Sequence, residues 1–223
     1  MPHAPMSDPT PAPAPPTRLL LIRHGQSRWN VDGRVQGQAD VALTPLGEAQ
    51  AAALGRRLAA LPLVAVYSSP LRRARETAEA VARPHGLPVV TLPELVEIDH
   101  GRWQGLTWAE VAARDSERYA LWQRLPGRVV MPDGERLFDV RTRALGAVRR
   151  VVAAHPGATV ALVSHEVVLR VVLGEALGMD YDHLGRLVLD NGGISVVEYG
   201  AGPPVVVAVN DTAHLSLLPR AQR

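Results

Sequence analysis

The chain has 223 residues, of which 47% are hydrophobic, and a formal net charge of +2. No apolar run approaches the roughly 18 residues that a membrane-spanning helix needs, and the small charge with only 4% aromatic residues argues against nucleic-acid binding. Because the chain has no cysteine, a disulfide framework, a redox thiol motif and a thiolate metal site are excluded.

Residues 1–17 are predicted to form a flexible tail rich in proline and alanine. Seven of the first 16 residues are proline, and the segment has no apolar periodicity. It lacks the basic start and the continuous apolar core of a secretory signal peptide, so we expect a cytoplasmic protein.

From residue 18 onward, strand-like and helix-like patterns alternate, which predicts one α/β domain over residues 18–223. The predicted strands cover residues 18–23, 63–67, 89–90, 159–163, 194–199 and 205–209. The predicted helical segments cover residues 44–60, 70–83, 107–124, 135–154 and 166–177. Residues 190–193 predict a turn between extended segments at 186–189 and 194–199.

Two of the predicted strands end in a histidine. The apolar run Leu19-Leu20-Leu21-Ile22, typical of a parallel strand buried on both faces, precedes Arg23-His24-Gly25. The run at 159–163 precedes Ser164-His165 in the same way. Ligands of open α/β sheets bind beyond the carboxyl ends of strands, so we expect both histidines to face one crevice. An arginine, an imidazole and a glycine there suit an anion such as phosphate. For Arg23-His24 taken alone, a solvated pair is the alternative.

A third predicted strand, residues 63–67, ends before Ser69 and Pro70. Ser69 is predicted to cap the next helix, and Pro70 to occupy its first position. Three arginines follow in the opening turns, where positive charge opposes the helix dipole unless an anion lies nearby. They are Arg72, Arg73 and Arg75. A solvated basic face is the alternative, and we expect it for Arg72 or Arg75.

With these features the chain resembles the histidine phosphatase superfamily, which has the phosphoglycerate mutase-like fold. The resemblance covers roughly residues 18–214, with the family's segments in their order and approximate spacing. These segments are residues 21–30 (LIRHGQSRWN), 33–37 (GRVQG), 43–47 (LTPLG) and 68–78 (SSPLRRARETA), then Glu97 with Gly101 and Gly105, and Val163-Ser164-His165. The resemblance implies a three-layer α/β/α sandwich with a mixed, mostly parallel central sheet.

The resemblance also implies covalent catalysis, with His24 as the nucleophile and Glu97 as the proton donor to the leaving group. Arg23, Arg73 and His165 are implied to surround the phosphoryl group. Histidine attacks phosphorus as the neutral imidazole, and nearby arginines lower its pKa. The residues alone do not separate Glu94 from Glu97, and the resemblance selects Glu97. Because two guanidiniums can neutralise the phosphoryl oxygens, neither a metal nor a cofactor is expected.

Five further residues are expected to bind the substrate: Asn30, Gln36, Gly37, Trp103 and Glu166. The Asn30 amide would help to neutralise the phosphoryl oxygens. Trp103 belongs either to the core or to the wall of the pocket, and we favour the wall because indoles often line pockets. Glu166 stands where many family members have glycine, so its carboxylate would repel an anionic substrate or contact a hydroxyl or amine.

We therefore predict a metal-independent phosphomonoester phosphatase that acts on a small phosphorylated metabolite, with no nucleic-acid or membrane partner. Residues 33–37 and 132–135, and the short insertion between Glu97 and His165, resemble the phosphatase branch. A phosphoglycerate mutase is the alternative enzyme. An inactive phosphate-binding or regulatory protein is the alternative from another class, although such a protein needs no nucleophile paired with a proton donor. A homodimer is a further expectation.

Overall fold

The computed structural model describes residues 14–218, and within them six strands form one mixed sheet. The strands are β1 (Thr17–Arg23), β2 (Leu63–Ser68), β3 (Val89–Thr91), β4 (Thr159–Ser164), β5 (Ile194–Tyr199) and β6 (Val205–Asp211). Their order across the sheet is β3-β2-β4-β1-β5-β6. The first four strands in this order are parallel to one another, whereas β5 is antiparallel to β1 and β6 to β5.

Seven α-helices accompany the sheet in the same part of the chain. They are α1 (Arg28–Val31), α2 (Pro45–Leu58), α3 (Arg72–Ala82), α4 (Trp108–Arg114), α5 (Ser116–Arg124), α6 (Leu137–Ala154) and α7 (Glu166–Ala176). No helix within residues 14–218 is long and apolar enough to cross a membrane.

Strand β1 shows why helices cover both faces of the sheet. Leu19 and Leu21 pack into one core cluster together with residues of α6 and α7. Leu20 and Ile22 pack into a second cluster together with residues of α2 and α3. Successive side chains of a strand point to opposite faces, so an unbroken apolar run is stable only when both faces are covered. The predicted three-layer α/β/α architecture is therefore confirmed.

The predicted elements differ from the structure mainly at their ends. The insertion at 107–124 is helical, but it divides into α4 and α5 at Asp115, whose φ of −143° and ψ of 54° are not helical. The extended segment predicted at 186–189 is not a strand, since residues 181–186 form a 3₁₀ helix. The first strand begins at Thr17, inside the predicted tail. Residues 1–13 of that tail, and residues 219–223 of the predicted domain, lie outside the described residues.

Candidate active site

The candidate site lies where β1 and β4 end side by side in the middle of the sheet. Arg23 is opposite Ser164 in the register of these parallel strands, so the next residue of each is a histidine. The rings of His24 and His165 are 5.1 Å apart, centroid to centroid. Their exposed fractions are only 3% and 0%. The two strand-end histidines are thus brought together as the sequence predicted.

The hydrogen bonds of His24 define its tautomer. Nδ1 lies 2.6 Å from the carbonyl oxygen of Gly25, and because a carbonyl only accepts, Nδ1 carries the proton. Nε2 accepts a hydrogen bond from Nε of Arg73 at 3.2 Å and therefore bears the lone pair. Burial, and then the charges of Arg73 and Arg23, lower the pKa of His24 well below its usual value. The imidazole is consequently neutral at neutral pH, which is the form that can act as a nucleophile.

Arg73 extends from the first turn of α3 into the site and is 1% exposed. It donates from Nη1 to the carbonyl of Ala39 at 2.7 Å and from Nη2 to the carbonyl of Gly37 at 2.9 Å. Burial lowers the pKa of Arg73 to about 10, so its guanidinium remains charged at neutral pH. The neighbouring Arg72 and Arg75 are instead half-exposed and pair with Glu76 and Glu79, which confirms the surface role expected for them.

Two buried nitrogens beside His24 lack a hydrogen-bond partner anywhere in residues 14–218: Nε of Arg23 and Nδ1 of His165. The other nitrogens of Arg23 contact the carbonyl of Leu189 and, at 2.8 Å, the carboxylate of Glu166. Nε2 of His165 lies 2.8 Å from Oγ of Ser69. A buried polar group without a partner costs on the order of 1–3 kcal/mol. An anion with several oxygens, held between these side chains, would remove that cost.

Glu97 supplies a buried carboxyl group to the same region, with an exposed fraction of 8%. Oε1 accepts a hydrogen bond from the backbone N–H of Ile98 at 2.9 Å, and Oε2 accepts one from Val167 at 3.2 Å. Burial raises the pKa of Glu97, although the two backbone donors and the charge of Arg73 work in the opposite direction. The raised pKa suits a group that holds a proton and releases it to a neighbouring oxygen.

Asn30 and Gln36 lie around Ser27, at the start of α1. Oδ1 of Asn30 accepts from the backbone N–H of Ser27 at 2.9 Å, and Oε1 of Gln36 accepts from its hydroxyl at 2.7 Å. Nδ2 of Asn191 donates to the carbonyl of His24 at 3.0 Å and to Oδ1 of Asn30 at 3.3 Å. Through Ser27 and Asn191, the two amides that were predicted to bind substrate are therefore linked to the backbone of His24.

Two site residues were missed by sequence reasoning. Asn191 lies in the Asp-Asn-Gly-Gly turn, which was interpreted only as a turn signal. Ser69 was predicted to cap α3, but that helix begins at Arg72, and its N-cap residue, Leu71, makes no side-chain capping bond. The Ser69 hydroxyl oxygen accepts a hydrogen bond from the backbone N–H of Leu71 at 3.3 Å, just before the helix, and the same hydroxyl also contacts Nε2 of His165. The signal that could have suggested this contact is the position of Ser69 directly after a third parallel strand.

Trp103 is not a wall of the pocket, contrary to our prediction. It is 2% exposed and packs in the core, where its indole N–H donates to Oδ2 of Asp115 at 2.9 Å. That acceptor satisfies the only polar atom of the indole and allows complete burial. A cavity of about 320 Å³ is lined instead by Trp108, Trp122, Val167 and Arg170, among other residues. The cavity lies next to the candidate site, because Val167, which lines the cavity, donates from its backbone N–H to the Glu97 carboxylate.

Glu166, the residue in the common glycine position, lies between two arginines. Its carboxylate is 2.8 Å from Nη2 of Arg23 and 2.6 Å from Nη2 of Arg170. Arg170 also donates from Nε to the carbonyl of Leu187 at 2.8 Å. Glu166 therefore connects Arg23, which directly precedes His24 in the candidate site, to Arg170, which lines the cavity.

Two imidazoles, two guanidiniums and one buried carboxyl group thus lie together at one edge of the sheet of an α/β/α sandwich, an arrangement that suits an anion such as phosphate. Residues 19–212 match the model of the histidine phosphatase superfamily, branch 1. The chain belongs to this superfamily. It is a phosphoric monoester hydrolase, a phosphatase of small phosphorylated metabolites.

Similar proteins are known in several organisms. The chain is 35% identical to phosphoserine phosphatase 1 of Hydrogenobacter thermophilus, with 89% of this chain and 94% of that protein covered. It is 34% identical to a probable phosphoglycerate mutase, GpmB, of Cronobacter sakazakii, with 89% and 94% covered. Among solved structures, Bacillus stearothermophilus YhfR superposes with a TM-score of 0.86 at 36% identity, over 89% of this chain and 99% of that one.

Proposed function

We propose that this protein hydrolyses small phosphomonoesters through a phosphohistidine at Nε2 of His24, without a metal ion. The observation that carries the proposal is the tautomer of His24. Gly25 holds the proton on Nδ1, and the lone pair on Nε2 lies against Arg73, a cation suited to bind the phosphoryl group. The nucleophile and its electrostatic partner are thus already positioned for attack.

In the first step, Nε2 of His24 attacks phosphorus and the bond from phosphorus to the ester oxygen breaks. Glu97 gives its proton to the departing oxygen, which leaves as an alcohol. In the second step, Glu97 takes a proton from a water molecule while that water attacks phosphorus, and the P–N bond breaks. Inorganic phosphate is released, and both His24 and Glu97 return to their starting protonation states.

Charge on the phosphoryl oxygens is neutralised by the cations and donors around His24. Arg73 and Arg23 supply two guanidiniums, and the unpartnered nitrogens of Arg23 and His165 supply further contacts. The Asn30 amide and the segment at Gln36 and Gly37 complete the oxygen-binding groups. Phosphoryl transfer needs mainly positioning and electrostatic stabilisation, so we propose that these residues replace the divalent ion used by other phosphatases.

The phosphohistidine is tested by rapid quench with a ³²P-labelled substrate. We expect an acid-labile, base-stable label on the native protein and none on His24→Ala. His183→Ala is the matched control, since His183 is exposed and lies outside the site, and it should be labelled like the native protein. Label that persists in His24→Ala would contradict the assignment. Complete absence of label and turnover in the native protein would favour the alternative of an inactive binding protein.

We propose that the substrate is phosphoserine or a similar compound, whose alcohol part is a zwitterion that carries an ammonium group and a carboxylate. The name of the Hydrogenobacter relative supports this choice, and the Glu166–Arg170 pair offers a carboxylate for the ammonium group and a guanidinium for the carboxylate. 3-Phosphoglycerate is a matched comparison, because it has a hydroxyl in place of the ammonium group. We expect a higher kcat/KM for phosphoserine than for 3-phosphoglycerate, and we expect Glu166→Gln to reduce this difference. Equal turnover of the two compounds by the native protein would contradict the zwitterion.

The same assay separates the phosphatase from the mutase alternative. A mutase must keep water from its phosphohistidine, whereas a phosphatase admits water once the alcohol has left. We propose that 3-phosphoglycerate gives inorganic phosphate and negligible 2-phosphoglycerate. Isomerisation faster than phosphate release would reverse the assignment.

A further inference from the structure

We propose that Arg143 and Glu135 are positioning residues that hold Glu97 in place for proton transfer. This inference rests on the proposed role of Glu97 as the acid. Neither residue is part of the phosphate-binding group described above. Arg143 lies on α6, and Glu135 lies two residues before the start of that helix.

Arg143 uses every one of its N–H groups within the protein. Nη1 donates to the carbonyls of Glu94 and Val96 at 2.7 and 2.6 Å, and Nη2 donates to the carbonyl of Glu97 at 3.1 Å. The remaining two donors form a bidentate pair with Glu135, at 2.8 and 2.9 Å. A guanidinium has five donors in a rigid fork, so this side chain fixes three backbone carbonyls at and before Glu97 in one geometry.

Glu135 continues the same arrangement on the other side of Glu97. Its Oε2 accepts from the backbone N–H of Asp99 at 2.9 Å, and its own N–H donates to the carbonyl of Asp99 at 2.9 Å. The segment 94–99 forms no strand of the sheet, so these side chains replace the ladder hydrogen bonds that would otherwise hold it. The Arg143–Glu135 pair therefore holds the backbone on both sides of the proposed acid.

This arrangement matters for catalysis because proton transfer depends on distance. A catalytic group must be held within about 0.5 Å of its productive position, and a displacement of about 1 Å can cost roughly 10²-fold in rate. The side chains of Arg143 and Glu135 are 16% and 22% exposed, so the pair is shielded from water on most of its surface. All five donors of Arg143 are used on protein acceptors, so none is left to bind the substrate directly.

The proposal predicts a loss that depends on the leaving group. An alkyl alcohol must be protonated as it departs, whereas 4-nitrophenolate is already a stable anion. Arg143→Met should lower kcat/KM for an alkyl phosphate by about 10- to 100-fold and change kcat/KM for 4-nitrophenyl phosphate by less than about threefold. Arg143→Lys, which keeps the charge but loses the fork, should give an intermediate loss.

Arg141→Met is the matched control. Arg141 lies on the same helix and makes a comparable bidentate pair with Glu175, at 3.0 and 2.7 Å, but on the exposed surface. The Arg141→Met variant should leave kcat/KM unchanged for both substrates. Thermal unfolding of each variant reports whether the fold is retained. Glu135→Gln, which keeps the side-chain size, carries the same leaving-group test if Arg143→Met does not fold.

Glu97→Gln separates a failure of this inference from a failure of the proposed function. Suppose that Glu97→Gln lowers kcat/KM far more for the alkyl phosphate than for 4-nitrophenyl phosphate, whereas Arg143→Met and Glu135→Gln lower it equally for both. The positioning role is then overturned, while the role of Glu97 as the acid stands. If Glu97→Gln itself loses equally with both substrates, the proposed acid is wrong and the positioning role falls with it. In the double variant Glu97→Gln/Arg143→Met, we expect no loss with alkyl phosphate beyond that of Glu97→Gln, and additive losses would overturn the inference.

Discussion

At the scale of single residues, burial and neighbouring charge set the protonation states that this site needs. His24 is kept neutral because its environment is buried and flanked by Arg73 and Arg23. Glu97 is biased towards its protonated form because burial penalises the carboxylate. Burial disfavours the charged form of each group, so it favours the neutral imidazole of His24 and the protonated carboxyl of Glu97. These are the forms that the proposed nucleophile and the proposed acid need.

These opposite shifts predict the pH dependence of activity. Because the pKa of Glu97 is raised, its protonated fraction falls as the pH rises through that pKa, and kcat/KM for an alkyl phosphate should decline on the alkaline side. Because the pKa of His24 is lowered, the acid side should not decline until well below the usual histidine pKa of about 6.5. Glu97→Gln should lose about 10²- to 10⁴-fold and lack the alkaline limb due to Glu97.

The measurement is kcat/KM against pH for the native protein and Glu97→Gln with the same alkyl phosphate. Ionisation of the substrate phosphate affects both proteins alike, so the difference between the two profiles isolates Glu97. Identical alkaline limbs would contradict the role of Glu97 as the acid.

At the scale of elements, the active-site loop depends on a close approach to α2. A Cβ atom at Gly25 would lie 2.5 Å from the carbonyl oxygen of Gly47, and one at Gly47 would lie 2.0 Å from that of Gln26. Real Cβ atoms do not approach backbone this closely, so both positions require glycine. Thr44 caps α2 by accepting from the N–H of Gly47 at 3.1 Å, which holds this turn against the loop that carries His24.

Gly47→Ala is therefore expected to destabilise the protein by about 1–3 kcal/mol, because the clash is with backbone, and to lower kcat by displacing the loop. Gly146→Ala is the control within α6, where the nearest atom to the new Cβ would be 3.7 Å away. It should raise the free energy of unfolding by about 0.5–1 kcal/mol, since alanine is the better helix former. Denaturant unfolding measures the free energy of unfolding of both variants. An unchanged free energy of unfolding in Gly47→Ala would contradict the close approach between the loop and α2.

At the scale of the whole molecule, the sheet topology collects charge from distant parts of the chain. Arg23 is the last residue of β1, Arg73 follows β2 on α3, and His165 directly follows β4. Three neighbouring parallel strands therefore deliver these side chains to one edge of the sheet. Parallel strands place all their carboxyl ends on the same side. The positive charge at that edge comes from the two arginines, because burial and then the charge of Arg73 lower the pKa of His165 well below its usual value and keep its imidazole neutral. The expected homodimer stays a prediction, which sedimentation velocity would test.

From this collected charge we expect activity that is independent of divalent ions. Two guanidiniums near the phosphoryl group can supply the stabilisation that a metal ion otherwise provides. Initial rates with and without excess EDTA should be equal. Inhibition by EDTA that Mg²⁺ or Zn²⁺ reverses would contradict the proposed mechanism.

The amino-acid sequence by itself determined the strand ends and therefore the centre of the site. Apolar runs before His24 and His165 specify buried parallel strands, and the pleat and the shared strand direction then place both histidines at one edge. The resemblance to a family selected Glu97 over Glu94, which local pattern could not do. The unbroken apolar run of β1 predicted a strand that is buried on both faces, and the resemblance implied the three layers.

The tertiary structure alone decided which partner each polar side chain has. Trp103 is buried because Asp115, at the break between α4 and α5, accepts a hydrogen bond from its indole N–H. Ser69, which accepts from the N–H of Leu71 before α3, also contacts His165. Arg143 reaches the Glu97 segment across 46 positions of sequence. Local propensity records only the preferences of neighbouring residues, whereas these contacts arise from packing between elements far apart in the chain. Hydrogen bonds between distant side chains therefore follow from the fold and leave no periodic pattern in the sequence.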